Sequence, residues 1–502
     1  MTLPLLRNAE SRPERLALVA PEGVFTYADL VQASHAAATA LLDGRPDLDG
    51  ARVCFLVPPG WHWVGTQWGI WRAGGIAVPL AVSHPTAELT YVLQDTAPAV
   101  VVAHPSLLER AREAADVIAA PVIRTDVLLE GPPDGPLPNP GPDHAAMILY
   151  TSGTTGPPKG VVTTHGTIQA QVESLVQAWE WTEADHILLH LPLHHVHGIV
   201  NALTCALSSG ACCQILERFD AEAVWERLAH GDVTLYMAVP TVYRRLIQAW
   251  DAAVPDRRTR WSAGAAGLRL MVSGSAALPP STLARWEEIT GQRLLERYGM
   301  TEIGMALSNP LRAERRARYV GTPLPGVDVR LVDDGGRAPP NGQPGEIQVR
   351  GGTVFRGYWR RPRETAEAFT EDGWFRTGDQ AIVEDRVWRI LGRASTDILK
   401  TGGEKVSALE IEDVLRERRD VLDCAVVGVP DPDWGERVCA AVVPDANGSP
   451  PRVDELRAFA KERLAPYKVP RSLLIVDELP RNAMGKVTKP EVRRLFETGE
   501  AT

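Results

Sequence analysis

The first half of the chain alternates between two hydrophobic periods. "TYADLVQASHAAATALL" carries apolar residues at helical spacing and opens with Thr26 and Asp29, a variant of the capping box. "RVCFLV" (Arg52 to Val57) and "AVVVAH" (Ala99 to His104) are continuous apolar runs of strand length. Between them Val64, Trp68 and Trp71 recur at helical spacing and read as a core stripe. Strands alternating with helices predict parallel sheets covered on both faces. The Pro/Gly-rich "LLEGPPDGPLPNPGPDH" reads as a loop leading into the strand "AAMILY".

From about Val327 the pattern shortens. "VDVRLVDDGGRAPPNGQPGEIQVRG" and "GWFRTGDQAIVEDRVWRILGR" alternate apolar and polar positions, punctuated by Asp-Gly, Gly-Gly and Asn-Gly, and predict an antiparallel β subdomain. After Gly392-Arg393 comes an α+β pattern of about 110 residues, enough for a domain of its own. Helices are expected to start at Ser407, with Glu410 completing a capping box, and at Thr488, with Glu491 as partner and Pro490 in the first turn. The fold class expected is therefore α/β. The pattern predicts a large domain of helix-covered parallel sheets plus an antiparallel β subdomain over residues 1–391, and a small α+β domain over 392–502.

Composition narrows the class. A chain of 502 residues exceeds one compact core, and 44% apolar with 23% charged residues is ordinary for a globular protein. With 53 basic against 63 acidic residues the net charge is −10, which argues against a general nucleic-acid or anionic-membrane surface. Six cysteines without a C-x-x-C read as reduced core residues. The N-terminal "MTLPLLRNAESRPERLALVA" mixes acidic and basic residues, unlike a signal or transit peptide, so a cytoplasmic location is expected.

The chemistry concentrates in a few polar stretches. "LYTSGTTGPPKGVV" (Leu149 to Val162) has the hydroxyls, glycines and lysine of a phosphate-binding loop: Thr151, Ser152, Gly153, Thr154, Thr155, Gly156 and Lys159. It is not the Walker loop, because Gly153 and Gly156 are too close and Gly160, not Ser or Thr, follows the lysine. "RYGMTE" (Arg297 to Glu302), "FRTGD" (Phe375 to Asp379), "GRASTDILKTGG" (Gly392 to Gly403) and "PRNAMGKVTK" (Pro480 to Lys489) interrupt otherwise apolar patterning. Each alone could be a solvated turn, a surface ion pair or a hinge.

Together, and in this order, these stretches resemble the adenylate-forming superfamily of acyl-CoA synthetases, adenylation domains and luciferases. The resemblance spans essentially the whole chain. It implies that Thr151, Ser152, Thr154, Thr155 and Lys159 contact the ATP β- and γ-phosphates, with Gly153 and Gly156 in the same loop. It implies that "SGSAA" (Ser273 to Ala277, with Gly274, Ser275 and Ala276) and "YGM" (Tyr298, Gly299, Met300) hold the adenine. Thr301 then touches the α-phosphate, and Glu302 holds Mg2+, as an oxygen ligand suits a hard cation. Asp379 and Arg393 bind the ribose, and Lys486 bridges the reacting carboxylate and α-phosphate. The hinge falls at Ser395, where Asp or Lys is usual in the family, and Gly402 and Gly403 face the CoA side. ATP and CoA are the implied co-substrates.

Two stretches bear on the acid. "LPLHHVHGIVNA" packs His190, His194, His195 and His197 together without zinc-ligand spacing, and the resemblance directs His197 into the acyl pocket. Arg297 precedes Y-G-M-T-E, where long-chain fatty acyl ligases usually carry a small or uncharged residue. A guanidinium facing a pocket calls for an anion, and its fork matches a carboxylate. A structural ion pair, for example to Glu296, is the competing explanation. "RYGMTE" with "HVHG" resembles the malonyl-CoA synthetases, including methylmalonyl-accepting members, in which matching positions bind the distal carboxylate; Met305 is placed to shorten the pocket. The expected activity is an AMP-forming acid–thiol ligase making malonyl-CoA from malonate, ATP and CoA, with methylmalonate a second candidate. A product for fatty acid metabolism is implied, and no obligate protein partner. A medium-chain acyl-CoA ligase or a carrier-loading adenylation enzyme is the alternative, and a nucleotide-binding pseudoenzyme a third.

Overall fold

The structure, a computed structural model, describes residues 4–151, 157–445, 451–481 and 486–497. The two large sheets follow from the buried apolar runs. One has nine strands, and its centre is parallel: Leu295–Met300, Leu270–Ser273, Leu235–Ala238, His186–Leu189, Cys212–Ile215 and Leu16–Ala20 lie side by side. The other has seven strands, with Ala145–Thr151, Ile76–Pro79, Arg52–Leu56, Val100–Ala103 and Val122–Arg124 parallel. Leu270–Ser273, Leu235–Ala238, Ile76–Pro79 and Val100–Ala103 are buried throughout, as expected where helices cover both faces.

Helix Trp61–Arg72 sets Val64, Trp68 and Trp71 into the largest core cluster, as the helical spacing predicts, and Trp63 joins them. Thr26 caps helix Tyr27–Leu42 with the reciprocal Asp29 bond in place. The four-stranded sheet Val327–Val332, Gly345–Gly351, Phe375–Glu384 and Val387–Arg393 is wholly antiparallel.

Residues from Ile398 onward build a five-stranded sheet around Val421–Asp431 and Gly435–Pro444, with two core clusters of its own. Helix Ala408–Leu415 is capped by Ser407, whose hydroxyl accepts from the Glu410 amide at 3.3 Å. Only half of the expected box forms, because the Glu410 carboxylate pairs with Lys468 at 2.7 Å. The last helix, Lys489–Glu497, begins directly after Thr488, where the expected capping position puts its start. All six cysteines are free thiols.

Candidate active site

Six strands and one irregular helix deliver the polar residues to one place. Strand Leu295–Met300 runs beside Leu270–Ser273, so the residues following Ser273 meet the side chains of "ERYGM". Gly274 has no room for a side chain there: a Cβ would stand 2.4 Å from the Arg297 guanidinium carbon. Ser275 follows with φ of 68°, a left-handed backbone unusual for a non-glycine residue. Its hydroxyl lies 3.5 Å from Arg297 Nη2 and 3.3 Å from His197 Nδ1. His197 starts a stretch of i→i+5 helix, His197–Thr204, a wide turn that often marks functional sites.

Arg297 is only 3% exposed and His197 only 5%. Among the described residues no carboxylate comes within ion-pair distance of Arg297, and its Nε has no hydrogen-bond partner. Burial pushes the guanidinium pKa down to about 10, with Glu296 opposing. Burial, then the neighbouring Arg297 cation, holds His197 well below the ordinary imidazole value, so the ring is neutral. His195 is likewise driven down to about 4 by burial, with Lys486 adding to the shift.

A second group surrounds Tyr298. Its hydroxyl donates to Asp379 Oδ2 at 2.6 Å, and Asp379 pairs with Arg393 at 3.2 Å across neighbouring antiparallel strands. Burial raises the Asp379 pKa, and Arg393 works against it.

A third group joins Lys159 and Glu302 through Tyr358, a residue that the sequence motifs do not single out. Strand Gly357–Tyr358 pairs with strand Lys159–Thr164. The Lys159 ammonium sits 5.0 Å from the Tyr358 ring centroid, and the Tyr358 hydroxyl donates to Glu302 Oε1 at 3.1 Å. Glu302 is buried, and burial raises its pKa.

Lys486 lies among all three groups. Burial of its ammonium lowers its pKa although the residue as a whole is exposed; the Arg297 and Arg393 cations lower it further, while Asp379 and Glu302 raise it. Three cations thus face one space, and the Asp379 carboxylate is already engaged by Tyr298 and Arg393. Such a site is built for anions.

Thr151, Gly299, Met300, Thr301 and Ala276 lie on the same strands and turns. Met305 pairs with Gly299 across the hairpin, and its methyl group leaves no space for a side chain there. Ser152, Gly153, Thr154, Thr155 and Gly156 fall outside the described residues. Among the described residues no hydrogen bond or ion pair joins Ser395, Gly402 or Gly403 to the cluster. Ser395 is exposed, and the Gly402 amide donates to the Trp434 carbonyl at 2.9 Å.

Residues 5–359 match the model of the AMP-binding enzymes, and residues 410–486 that of the AMP-binding enzyme C-terminal domain. The chain belongs to this adenylate-forming family. This AMP-binding enzyme is 44% identical to the mitochondrial malonate–CoA ligase ACSF3 of Mus musculus, over 99% of its own length and 92% of that protein. Among solved structures, ATP-bound MatB from Rhodopseudomonas palustris superposes with a TM-score of 0.91 at 34% identity, covering 99% of each chain. A malonyl-CoA ligase ternary product complex with methylmalonyl-CoA and AMP gives 0.69 at 39% identity, covering 95% of this chain and 100% of the other.

Proposed function

We propose that the chain is a malonate–CoA ligase, forming malonyl-CoA, AMP and pyrophosphate through malonyl-AMP. The observation that carries this reading is the buried Arg297 guanidinium, with no carboxylate partner among the described residues, in the same space as Lys486. A dicarboxylate satisfies both cations: one carboxylate reacts beside Lys486 while the other stays on Arg297, Ser275 and His197. An octanoyl tail would leave the buried guanidinium without an anion, a cost of several kcal/mol. The similarity to malonate–CoA ligases supports the assignment.

In the first half-reaction a malonate oxygen attacks the ATP α-phosphorus, and the bond to the bridging oxygen of the leaving pyrophosphate breaks. Lys486 stabilises charge developing between carboxylate and phosphoryl group. Lys159 and the hydroxyls of its loop hold the departing phosphates, Asp379 and Arg393 the ribose, and Tyr298 the adenine side. The buried oxygen donor Glu302 suits Mg2+, which characteristically takes one or two protein carboxylates plus substrate phosphates and would supply charge neutralisation at the phosphates. In the second half-reaction the CoA sulfur attacks the acyl carbon, AMP leaves, and the thiol proton is lost.

Lys486 cannot serve both steps from one position if CoA approaches the same carbonyl, so residues beyond Ser395 turn between steps, bringing Gly402 and Gly403 round. Two facts support an adenylation-competent arrangement here. Lys486 is inside the cluster, and the likeness is greater to the ATP-bound structure than to the product complex despite the latter's higher identity. AMP release with malonate, methylmalonate, succinate, acetate and octanoate tests the proposal. Malonate or methylmalonate should lead; a preference for octanoate would overturn it.

A further inference from the structure

Asp423 stands at the edge of the C-terminal sheet and is shared by three guanidiniums. Arg416, on the adjacent helix segment, approaches at 3.4 Å, and Arg481 donates to its Oδ2. Arg244, the third, lies 3.5 Å away and belongs to the other side of the molecule, in helix Pro240–Ala252. The same guanidinium donates to the Leu422 carbonyl at 3.2 Å.

Both ends of this contact lead to the active site. Arg481 bridges to Val487, the residue that follows Lys486. On the other side Tyr243, next to Arg244, donates its hydroxyl to the Val272 carbonyl at 3.0 Å, on the strand that delivers Gly274 and Ser275 to the acid pocket. The contact is also of moderate strength. Asp423 is divided among three cations, and Arg244 retains 33% side-chain exposure.

We propose that Asp423 is a positioning residue which, through Arg481 and Arg244, docks the Lys486 segment onto the acid pocket, and that breaking the Arg244–Asp423 contact releases Lys486 before CoA capture. The inference rests on the two-step reading above. It adds a latch that favours the first step, is absent in the second, and is remade each turnover.

The test separates the half-reactions. Arg244→Ala should slow acid-dependent ATP–pyrophosphate exchange by about 5- to 30-fold, mainly in kcat, the loss expected for a half-buried ion pair. CoA capture of synthetic malonyl-AMP should be unchanged or faster. Arg244→Lys should recover part of the exchange rate, while Arg245→Ala, which alters the neighbouring arginine over Phe219, should have no such effect. Equal losses in both half-reactions of a folded Arg244→Ala protein, or no loss in either, would overturn the latch. If the wild type instead exchanged with a different acid, the malonate reading would fail, and the same ratio measured with that acid would still decide the latch.

Discussion

Glu296 and Arg297 are neighbours in the chain and face opposite sides of one strand. The Glu296 carboxyl accepts from the Leu278 amide at 3.0 Å, and burial pushes its pKa up to about 8. Arg297 turns the other way, to Ser275. Successive strand residues alternate faces. The carboxylate nearest in sequence therefore does not neutralise the guanidinium, and the structural ion pair that could have explained Arg297 is not formed.

The consequence is selective. Truncating one member of a buried charge pair costs about 2–5 kcal/mol, roughly 30- to 5000-fold at about 1.4 kcal/mol per decade. Arg297→Ala should lower kcat/KM for malonate within that range. Acetate, which has no second carboxylate, should be nearly unaffected or improved. Parallel loss of both acids in a variant that still binds ATP would make Arg297 structural.

Gly274→Ala tests the same pocket without removing a charge. The new methyl group would meet the Arg297 guanidinium, which must shift inside a closed space. Overpacking typically costs about 1–3 kcal/mol. Malonate kcat/KM should fall by roughly 5- to 150-fold, and by more than the kcat/KM for acetate. Unchanged malonate kinetics would mean the guanidinium moves freely and does not hold the acid.

Much of this site was legible in the sequence because its motifs are local. The stretch "RYGMTE" is one strand and its turn, and "FRTGD" with "GR" is one antiparallel pair, so Asp379 and Arg393 meet by register alone. Tyr358 was not legible. It reaches Glu302 and Lys159 only because a two-residue strand pairs with the far arm of the phosphate-type hairpin, a contact between residues far apart in sequence. Arg244 and Asp423 were hidden for the same reason. The Glu410 box misled because its carboxylate had a better partner in Lys468, which no local pattern announces.

Tyr358 should accordingly tune the ATP side alone. Tyr358→Phe removes one hydrogen bond to a buried carboxylate, worth about 0.5–3 kcal/mol, and should slow adenylation measurably with discrimination between malonate and acetate unchanged. Tyr358→Leu also removes the ring beside Lys159 and should do worse. Altered acid preference in either variant would place Tyr358 wrongly.

Buried histidines set an acid limit on stability. Burial holds His165, His190 and His195 down at about 4 and His194 at about 2. An imidazole with a depressed folded pKa binds its proton in the unfolded chain first, near pH 6.5, so stability falls as pH drops below that value. Glu296, raised to about 8, and Asp413, raised to about 6, oppose this because they are protonated first in the folded protein. The histidines outnumber them. Near pH 5.5 unfolding should take up roughly two protons, read from the slope of urea-derived stability against pH between 5 and 6. A flat or inverted slope would show that the histidines are solvated.

Lys486 gives the test that divides the reaction in time. Its ammonium lies among Arg297, Arg393, Asp379 and Glu302, where pyrophosphate departure would place it against developing negative charge. Removing one such group typically costs about 100- to 1000-fold, so Lys486→Ala should nearly abolish malonate-dependent ATP–pyrophosphate exchange. The second step starts from an adenylate already formed, with AMP as leaving group and no pyrophosphate to stabilise. If the segment bearing Lys486 has withdrawn by then, the variant should retain most of its capacity to turn synthetic malonyl-AMP and CoA into malonyl-CoA. Arg297→Ala should fail differently, since the distal carboxylate persists in both steps and needs its partner in each. Comparing the two variants in the two assays therefore distinguishes a group used once from a group used throughout. Equal impairment of both steps by Lys486→Ala would mean that one fixed arrangement serves the whole reaction.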